Sequence, residues 1–95
     1  MPAYLIGNIT VTDPARYAEY RAQVPAVLAK HGGEFLVRGG AVTPKEGEGF
    51  QRVVVIRFPD TAAAEAFYHG PDYAPLLALR LAASTGTLAL VEGVA

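Results

Sequence analysis

The sequence contains no cysteine, a single serine and two histidines among its 95 residues. Without cysteine the chain cannot form a disulfide, an iron–sulfur cluster, a thiolate zinc site or a cysteine nucleophile. Ser84 has no nucleophile motif around it, and the histidines are not spaced as a metal motif. The sequence also has no glycine-rich nucleotide-binding motif. The closest pattern is Gly47 and Gly49, which indicates only a turn. We therefore predict no metal site and no bound cofactor.

Charged residues are scarce. They make up 18% of the chain, the net charge is −1, and like charges do not cluster. This pattern argues against a nucleic-acid interface and against a polybasic membrane patch. No apolar run is long enough to span a bilayer, and Met1 is not followed by the basic region of a secretory signal. We therefore expect no nucleic-acid or membrane partner, and a cytoplasmic location.

Hydrophobic residues make up 52% of the chain, and their spacing predicts one α+β domain over 1–95. Asp13 and Pro14 open the first helix, which Pro25 is expected to kink or split. The predicted elements are a strand at 3–11, a helix ending at Gly32 and Gly33, a strand at 34–43, a strand at 52–58, a helix at 62–68, a helical segment at 72–83 bent at Pro75, and a strand at 87–91.

This β-α-β-β-α-β order predicts a ferredoxin-like fold. Right-handed crossovers give an antiparallel four-stranded sheet of order 4-1-3-2 with the helices on one face. Yet both faces of the predicted strands are apolar. The opposed sets are Leu5, Ile9 and Val11 against Tyr4, Ile6, Asn8 and Thr10; Phe35 and Val37 against Leu36 and Arg38; Val53 and Val55 against Val54, Ile56 and Phe58; and Leu88 and Leu90 against Ala89 and Val91.

A sheet face exposed to water normally alternates with polar residues. Leaving roughly six to eight apolar side chains wet would forgo on the order of 10 kcal/mol. We therefore expect a second copy of the chain to cover the face that the helices leave open, which makes the protein a homodimer.

Several short segments, spread over essentially the whole chain, together resemble one known family. They are Pro2-Ala3-Tyr4, Val11-Thr12-Asp13-Pro14, Tyr17, Tyr20, Val37-Arg38-Gly39-Gly40, Gly70-Pro71-Asp72-Tyr73, Pro75-Leu76 and Val91-Glu92-Gly93. In aggregate they are similar to the domain-of-unknown-function family 1330. The resemblance implies a dimeric α+β barrel, in which two ferredoxin-like sheets pack face to face. Gly70 and Ala74 depart from the family pattern, where serine and glutamine are common.

Each histidine has a structural and a functional interpretation. His31 and His69 both end helices, where a histidine interacts favourably with the helix dipole. The functional alternative for each is a general base or a metal ligand. His69 is the stronger candidate for catalysis because Asp72 and Tyr73 follow closely and could share a pocket with it, as ligand-binding residues.

The other candidates are tyrosines and isolated polar residues. Tyr17 and Tyr20 share one helix face, either as core residues or with hydroxyls lining a cleft between helix and sheet. Arg38 and Glu92 lie in apolar strands beside glycines. They form either an intersubunit salt bridge or an anion-binding arginine and a catalytic carboxylate.

Asn8 and Arg57 are two further polar residues on apolar strands. Asn8 is expected to face a barrel interior and contact a ligand. Arg57 is expected either to line that interior or to reach the edge of the sheet.

Two functions are compatible with these residues. The first is an enzyme or binding protein for a small apolar or aromatic molecule held between sheet and helices. The wider barrel group suggests cofactor-free oxygenation or isomerisation, by analogy of fold. The second is a non-catalytic dimerisation module. A pocket of several hundred Å³ lined by converging polar groups would favour the first, and a solidly packed interior the second.

Overall fold

The computed structural model describes residues 1–94 and confirms the ferredoxin-like fold. Within this range the elements are β1 (Ala3–Val11), α1 (Pro14–Lys30), β2 (Glu34–Arg38), β3 (Arg52–Phe58), α2 (Thr61–Tyr68), α3 (Ala74–Ala83) and β4 (Ser84–Glu92). The strands form one antiparallel sheet in the order β2-β3-β1-β4, as predicted. The second helical region comprises two helices, because Pro71 and the turn around it separate α2 from α3.

The helices cover one face of the sheet and form the core with it. Asp13 caps α1 by accepting from the Arg16 N–H, and Asp60 caps α2 by accepting from the Ala63 N–H. The main cluster of buried side chains comes from strands and helices alike: Leu5, Val24, Leu28, Ile56, Phe58, Ala64, Phe67, Tyr73 and Leu76. The alternation predicted for β1, β3 and β4 matches this burial.

Two predicted boundaries and one predicted bend need correction. β2 ends at Arg38 rather than residue 43, because Gly39 adopts a left-handed φ of +70°. Pro75 lies in the first turn of α3 and does not bend it. Backbone N–H groups in the first turn have no acceptor within the helix, so a proline there removes no helical hydrogen bond. β4 begins at Ser84 rather than residue 87, since it pairs with β1 along its full length.

Pro25 does not divide α1, which runs through it as one helix of 17 residues. A proline inside a helix leaves one carbonyl, four residues earlier, without its N–H donor. Here that carbonyl belongs to Arg21, and the Arg38 guanidinium donates to it. A side chain from the sheet thus replaces the hydrogen bond that Pro25 cannot make.

The alternation predicted for β2 is wrong at its C-terminal end. A register irregularity lies between Phe35 and Val37, so that Val37 pairs with Val55 and Arg38 with Val54. Because of the extra residue, the side chains after Leu36 lie on the opposite face of the sheet from the one that strict alternation predicts. Arg38 therefore shares the helix side with Phe35, and its guanidinium lies 4.3 Å from the Phe35 ring centre.

The face of the sheet away from the helices, here called the outer face, is largely apolar. Three of its side chains are exposed to a large extent: Ile6 at 41%, Val37 at 39% and Val91 at 46%. Val53, Val55 and Ala89 extend the same surface on the paired strands. Arg57 lies at its margin and forms an ion pair with Glu34 at 3.5 Å. Among residues 1–94, no helix is both long and apolar enough to cross a membrane.

Candidate ligand-binding pocket

A pocket lies between the sheet and the helices. Its cavity volume is about 50 Å³, and about 570 Å³ of space is spanned when the solvent at its open mouth is included. We call it the helix–sheet pocket. Its apolar walls come from both layers, with Leu5, Val54, Ile56 and Leu88 on the strands and Val24 and Phe67 on the helices. Its polar lining consists of tyrosines and arginines, namely Tyr17, Tyr20, Tyr68, Tyr73, Arg21, Arg38, Arg52 and Arg80.

Tyr20, Tyr73 and Arg80 form a hydrogen-bonded chain along one wall. The hydroxyls of Tyr20 and Tyr73 are 2.7 Å apart, and the Arg80 Nε donates to the Tyr73 hydroxyl over 3.4 Å. Burial, reinforced by Tyr73, raises the pKa of Tyr20 well above that of an exposed tyrosine. Tyr20 therefore stays a neutral phenol at physiological pH, where it can orient a ligand by hydrogen bonding but cannot act as a phenolate base.

An aromatic wall surrounds this chain. Tyr73 packs on Phe67 with ring centres 4.5 Å apart, and Tyr17 lies 5.5 Å from Tyr20. Tyr68 closes the group, with its ring centre 5.8 Å from that of Tyr73. Tilted aromatic faces around an open space offer edge and stacking contacts to a further ring.

Pro25 and the β2 irregularity together position Arg38 in the pocket. The irregularity turns the side chain toward α1, and the open Arg21 carbonyl accepts from its guanidinium. Burial, followed by the charges of Arg21 and Arg52, lowers the pKa of Arg38. The group nevertheless stays protonated, because an arginine does not lose its proton in a protein.

Substituting Pro25 by alanine is expected to raise the free energy of unfolding by about 1 kcal/mol, because the helix gains the missing N–H donor. In the Pro25→Ala variant the Arg21 carbonyl already accepts from the new backbone N–H, so adding Arg38→Gln should lower the free energy of unfolding only slightly. In the wild type, Arg38→Gln should lower the free energy of unfolding by about 1 kcal/mol more than it does in Pro25→Ala.

A double-mutant cycle by chemical denaturation measures this coupling. If the free energies of the two substitutions simply add, within about 0.5 kcal/mol, then Arg38 does not depend on the carbonyl that Pro25 frees.

Arg52 begins β3 and points into the same pocket. Its guanidinium lies 5.4 Å from the Tyr17 ring centre. Packing against Gly39 is so close that a Cβ at residue 39 would overlap the guanidinium. Within the described chain, the buried Arg52 Nε has no hydrogen-bond partner. Arg52 and Arg80 were not singled out from the sequence, although Arg52 shares the two-residue alternation of Val54, Ile56 and Phe58, and Arg80 lies four residues after Leu76 on an apolar helix.

Of the predicted ligand-binding residues, Tyr17, Tyr20, Arg38 and Tyr73 converge on the helix–sheet pocket. Asp72 does not join them, because it forms an exposed ion pair with Lys30 at 3.2 Å. Asn8 lies on the outer-face side of β1. There its amide donates to the Gly49 carbonyl over 2.7 Å and accepts from the Gln51 N–H over 2.8 Å, which ties down the end of the β2–β3 loop.

The two candidate catalytic residues lie outside the pocket. His69 ends α2 with its side chain 68% exposed, 3.2 Å from the Glu65 carboxylate. Glu92 is exposed at the end of β4, opposite Ala3. His31 ends α1 and lies edge-on to Phe67 with ring centres 5.9 Å apart. Over residues 1–94, no group of three or more histidine, aspartate and glutamate side chains could hold a metal ion.

Solved structures of similar fold cover nearly the whole chain. A protein of unknown function from Rhodopseudomonas palustris is 18% identical, with a TM-score of 0.81 over 99% of this chain and 83% of that one. SnoaB, a cofactor-independent oxygenase from Streptomyces nogalater, is 21% identical, with a TM-score of 0.69 over 99% of this chain and 94% of that one. At such identities these likenesses concern the fold alone.

Among curated proteins, no sequence matches the chain. The family model named Domain of unknown function (DUF1330) matches residues 2–94. That match spans every strand and helix of the fold and every residue of the helix–sheet pocket. The chain therefore belongs to the DUF1330 family, as the resemblance of its motifs indicated.

Proposed function

We propose that the protein is a homodimer that binds a small aromatic molecule in the helix–sheet pocket of each subunit. The observation that carries the proposal is the lining of the pocket, in which aromatic walls and converging tyrosine and arginine side chains surround a small cavity that opens to solvent. Ligand sites combine these features, since apolar walls supply affinity and a few polar groups fix orientation. The cavity of about 50 Å³ is smaller than the several hundred Å³ of a fully formed ligand site, so the proposal rests on the character of the lining and not on its volume.

The dimer is supported by the outer face. Ile6, Val37 and Val91 are exposed on the outer face, which no helix among residues 1–94 covers. Burying an apolar side chain of this size is worth about 1.5–3 kcal/mol. A second copy supplies the same apolar surface in a two-fold arrangement, so that each sheet covers the other.

Binding can be tested by thermal denaturation with a panel of one-ring and two-ring aromatic compounds. At ten times its dissociation constant a ligand adds about 1.4 kcal/mol of stability, which raises the Tm of a domain this size by about 5–10 °C. Val54→Phe fills the pocket from β3 and should abolish the rise. The control Leu81→Phe, on an exposed part of α3, should leave it unchanged.

A panel without any stabilising member would overturn the proposal, as would a rise that persists in Val54→Phe.

Cofactor-independent oxygenation of the bound molecule is the second candidate. SnoaB, which shares the fold, supports it, and the pocket supplies arginines that would stabilise a deprotonated aromatic substrate. No histidine, aspartate or glutamate lines the pocket within residues 1–94, so a substrate would have to ionise by itself in the field of the arginines. Oxygen consumption in the presence of a stabilising phenol, absent in Val54→Phe, would support this activity. A bound phenol without oxygen consumption would argue against it.

A further inference from the structure

We propose that the ligand of the helix–sheet pocket is an aromatic carboxylate, and that Arg38 and Arg52 bind its carboxylate group. The inference rests on the proposed function, because it names the chemical class of the molecule that the pocket takes. It depends on the balance of charge in the pocket, on one buried donor and on the crowding of three guanidinium groups.

The charge of the pocket opposes that of the protein. Four arginines line it, and within the described residues no aspartate or glutamate does, although the whole chain carries a net charge of −1. The ion pairs found over residues 1–94 belong to Arg16, Lys30 and Arg57, and His69 lies 3.2 Å from the Glu65 carboxylate. Of the pocket arginines Arg80 is buried, Arg38 and Arg52 are half-buried and Arg21 is exposed, and within residues 1–94 none of them forms an ion pair. A positive charge that is partly shielded from water favours a partner of opposite sign.

Arg52 supplies the most specific indication. Its Nε is buried and, as far as the described chain goes, makes no hydrogen bond. Buried donors in folded proteins are nearly always satisfied, so an unfilled one beside a cavity points to a missing acceptor. Guanidinium groups present paired N–H donors that match the two oxygens of a carboxylate. A carboxylate at this point would accept from Arg52 and neutralise its charge.

Arg38 lies on the same side of the pocket and completes the site. Its guanidinium is held over the Phe35 ring and by the Arg21 carbonyl. Burial and the neighbouring charges of Arg21 and Arg52 lower its pKa, which reflects the repulsion that these cations feel. An anion between Arg38 and Arg52 would relieve this repulsion, whereas a neutral ligand would leave it in place.

The rest of the ligand is defined by the opposite wall. Phe67 and Tyr73 present aromatic surface there, and the Tyr20 hydroxyl is hydrogen-bonded to that of Tyr73. Tyr17 adjoins both Tyr20 and the Arg52 guanidinium. A ring attached to the carboxylate would pack among these side chains. The pocket therefore combines a cationic end, between Arg38 and Arg52, with an aromatic end.

Matched pairs of ligands test the inference by titration calorimetry. The probes are benzoate against benzamide and 1-naphthoate against 1-naphthamide, which keep the ring and replace the carboxylate by a neutral amide. In the wild type we expect the acid to bind at least 10-fold more tightly than its amide. In Arg52→Gln the ratio should fall to about 1–3, and in Arg38→Gln it should fall as well. Arg57→Gln is the matched control, because Arg57 is on the same strand but lies outside the pocket.

Stability separates loss of binding from loss of folding. Without ligand, Arg52→Gln should melt at or above the wild-type temperature, since it removes a half-buried charge that no carboxylate of the described chain neutralises. Arg52→Lys keeps the charge without the paired donors, and should retain part of the preference for the acid. If Arg52→Gln does not fold, the ratio of acid to amide affinity is measured in Arg52→Lys instead, where it should lie below the wild-type ratio.

Each outcome is decisive. If acid and amide bind equally and Val54→Phe abolishes both, the aromatic pocket stands and the carboxylate inference falls. If Arg57→Gln reduces the ratio as much as Arg52→Gln, the preference reflects the general field of the protein and the inference also falls. If neither ligand of either pair binds, the carboxylate inference falls, and the proposed function falls with it only when no other member of the aromatic panel stabilises the protein.

Discussion

Replacing Val55 by aspartate is expected to convert the protein from a dimer to a monomer. Val55 is central on the outer face, where it pairs with Ile6 on one side and with Val37 on the other. In a dimer formed through this face, the new carboxylate would be buried against apolar side chains without a partner. We expect the dissociation constant to rise at least about 100-fold, equivalent to about 2.7 kcal/mol.

Sedimentation velocity over a range of protein concentrations measures this change. Leu81→Asp introduces the same group at a residue of α3 that is 63% exposed, and should leave the association unchanged. If the wild-type protein sediments as a monomer at micromolar concentration, the outer face is not a dimer interface. If Val55→Asp remains a dimer, association uses another surface.

Truncating Phe67 to alanine is expected to lower the free energy of unfolding by about 3–5 kcal/mol. Phe67 is 2% exposed and joins the two layers of the domain. Its ring lies 5.5 Å from that of Phe58 on β3 and 4.5 Å from that of Tyr73. Removing the ring loses these contacts and merges the cavity it leaves with the helix–sheet pocket, which cannot collapse around it.

Urea denaturation at equilibrium tests this value. Leu81→Ala, at an exposed residue of α3, provides the control and should change stability by less than about 0.5 kcal/mol. A loss below about 1 kcal/mol for Phe67→Ala would mean that the aromatic wall is not part of the stabilising core.

The architecture was readable from the sequence because it depends on local patterns. Two-residue alternation on β1 and β3 gave their inward sides, and the order of elements with right-handed crossovers gave the strand order. Capping by Asp13 followed from the residue type and the proline beside it. Such features need only neighbours in the chain, so spacing alone predicts them.

β2 and α1 show where this reasoning failed. One extra residue after Phe35 reverses the side on which Arg38 lies, and no residue type in the segment marks that irregularity. At Pro25 the carbonyl left open in α1 accepts from Arg38 of β2, which is a contact between residues 17 positions apart. Both features arise from pairing between distant segments, which a local pattern does not contain.

The candidate site was predicted in part. Tyr17, Tyr20 and Tyr73 come together because their helices pack on one sheet face. His69 and Asp72 are close to Tyr73 in sequence, yet both are exposed: Asp72 pairs with Lys30, and His69 lies beside the Glu65 carboxylate. Proximity along the chain was a poor guide at this turn, because residues on opposite sides of a helix end face in different directions.

The most direct test of the central claim is a crystal structure of the protein with bound 1-naphthoate. We predict the ring between the sheet and the helices, beside Tyr73 and Phe67. The carboxylate oxygens should lie about 2.7–3.2 Å from guanidinium nitrogens of Arg52 and Arg38. A naphthoate bound on the outer face, or held in the pocket with its carboxylate turned away from both arginines toward solvent, would contradict the claim.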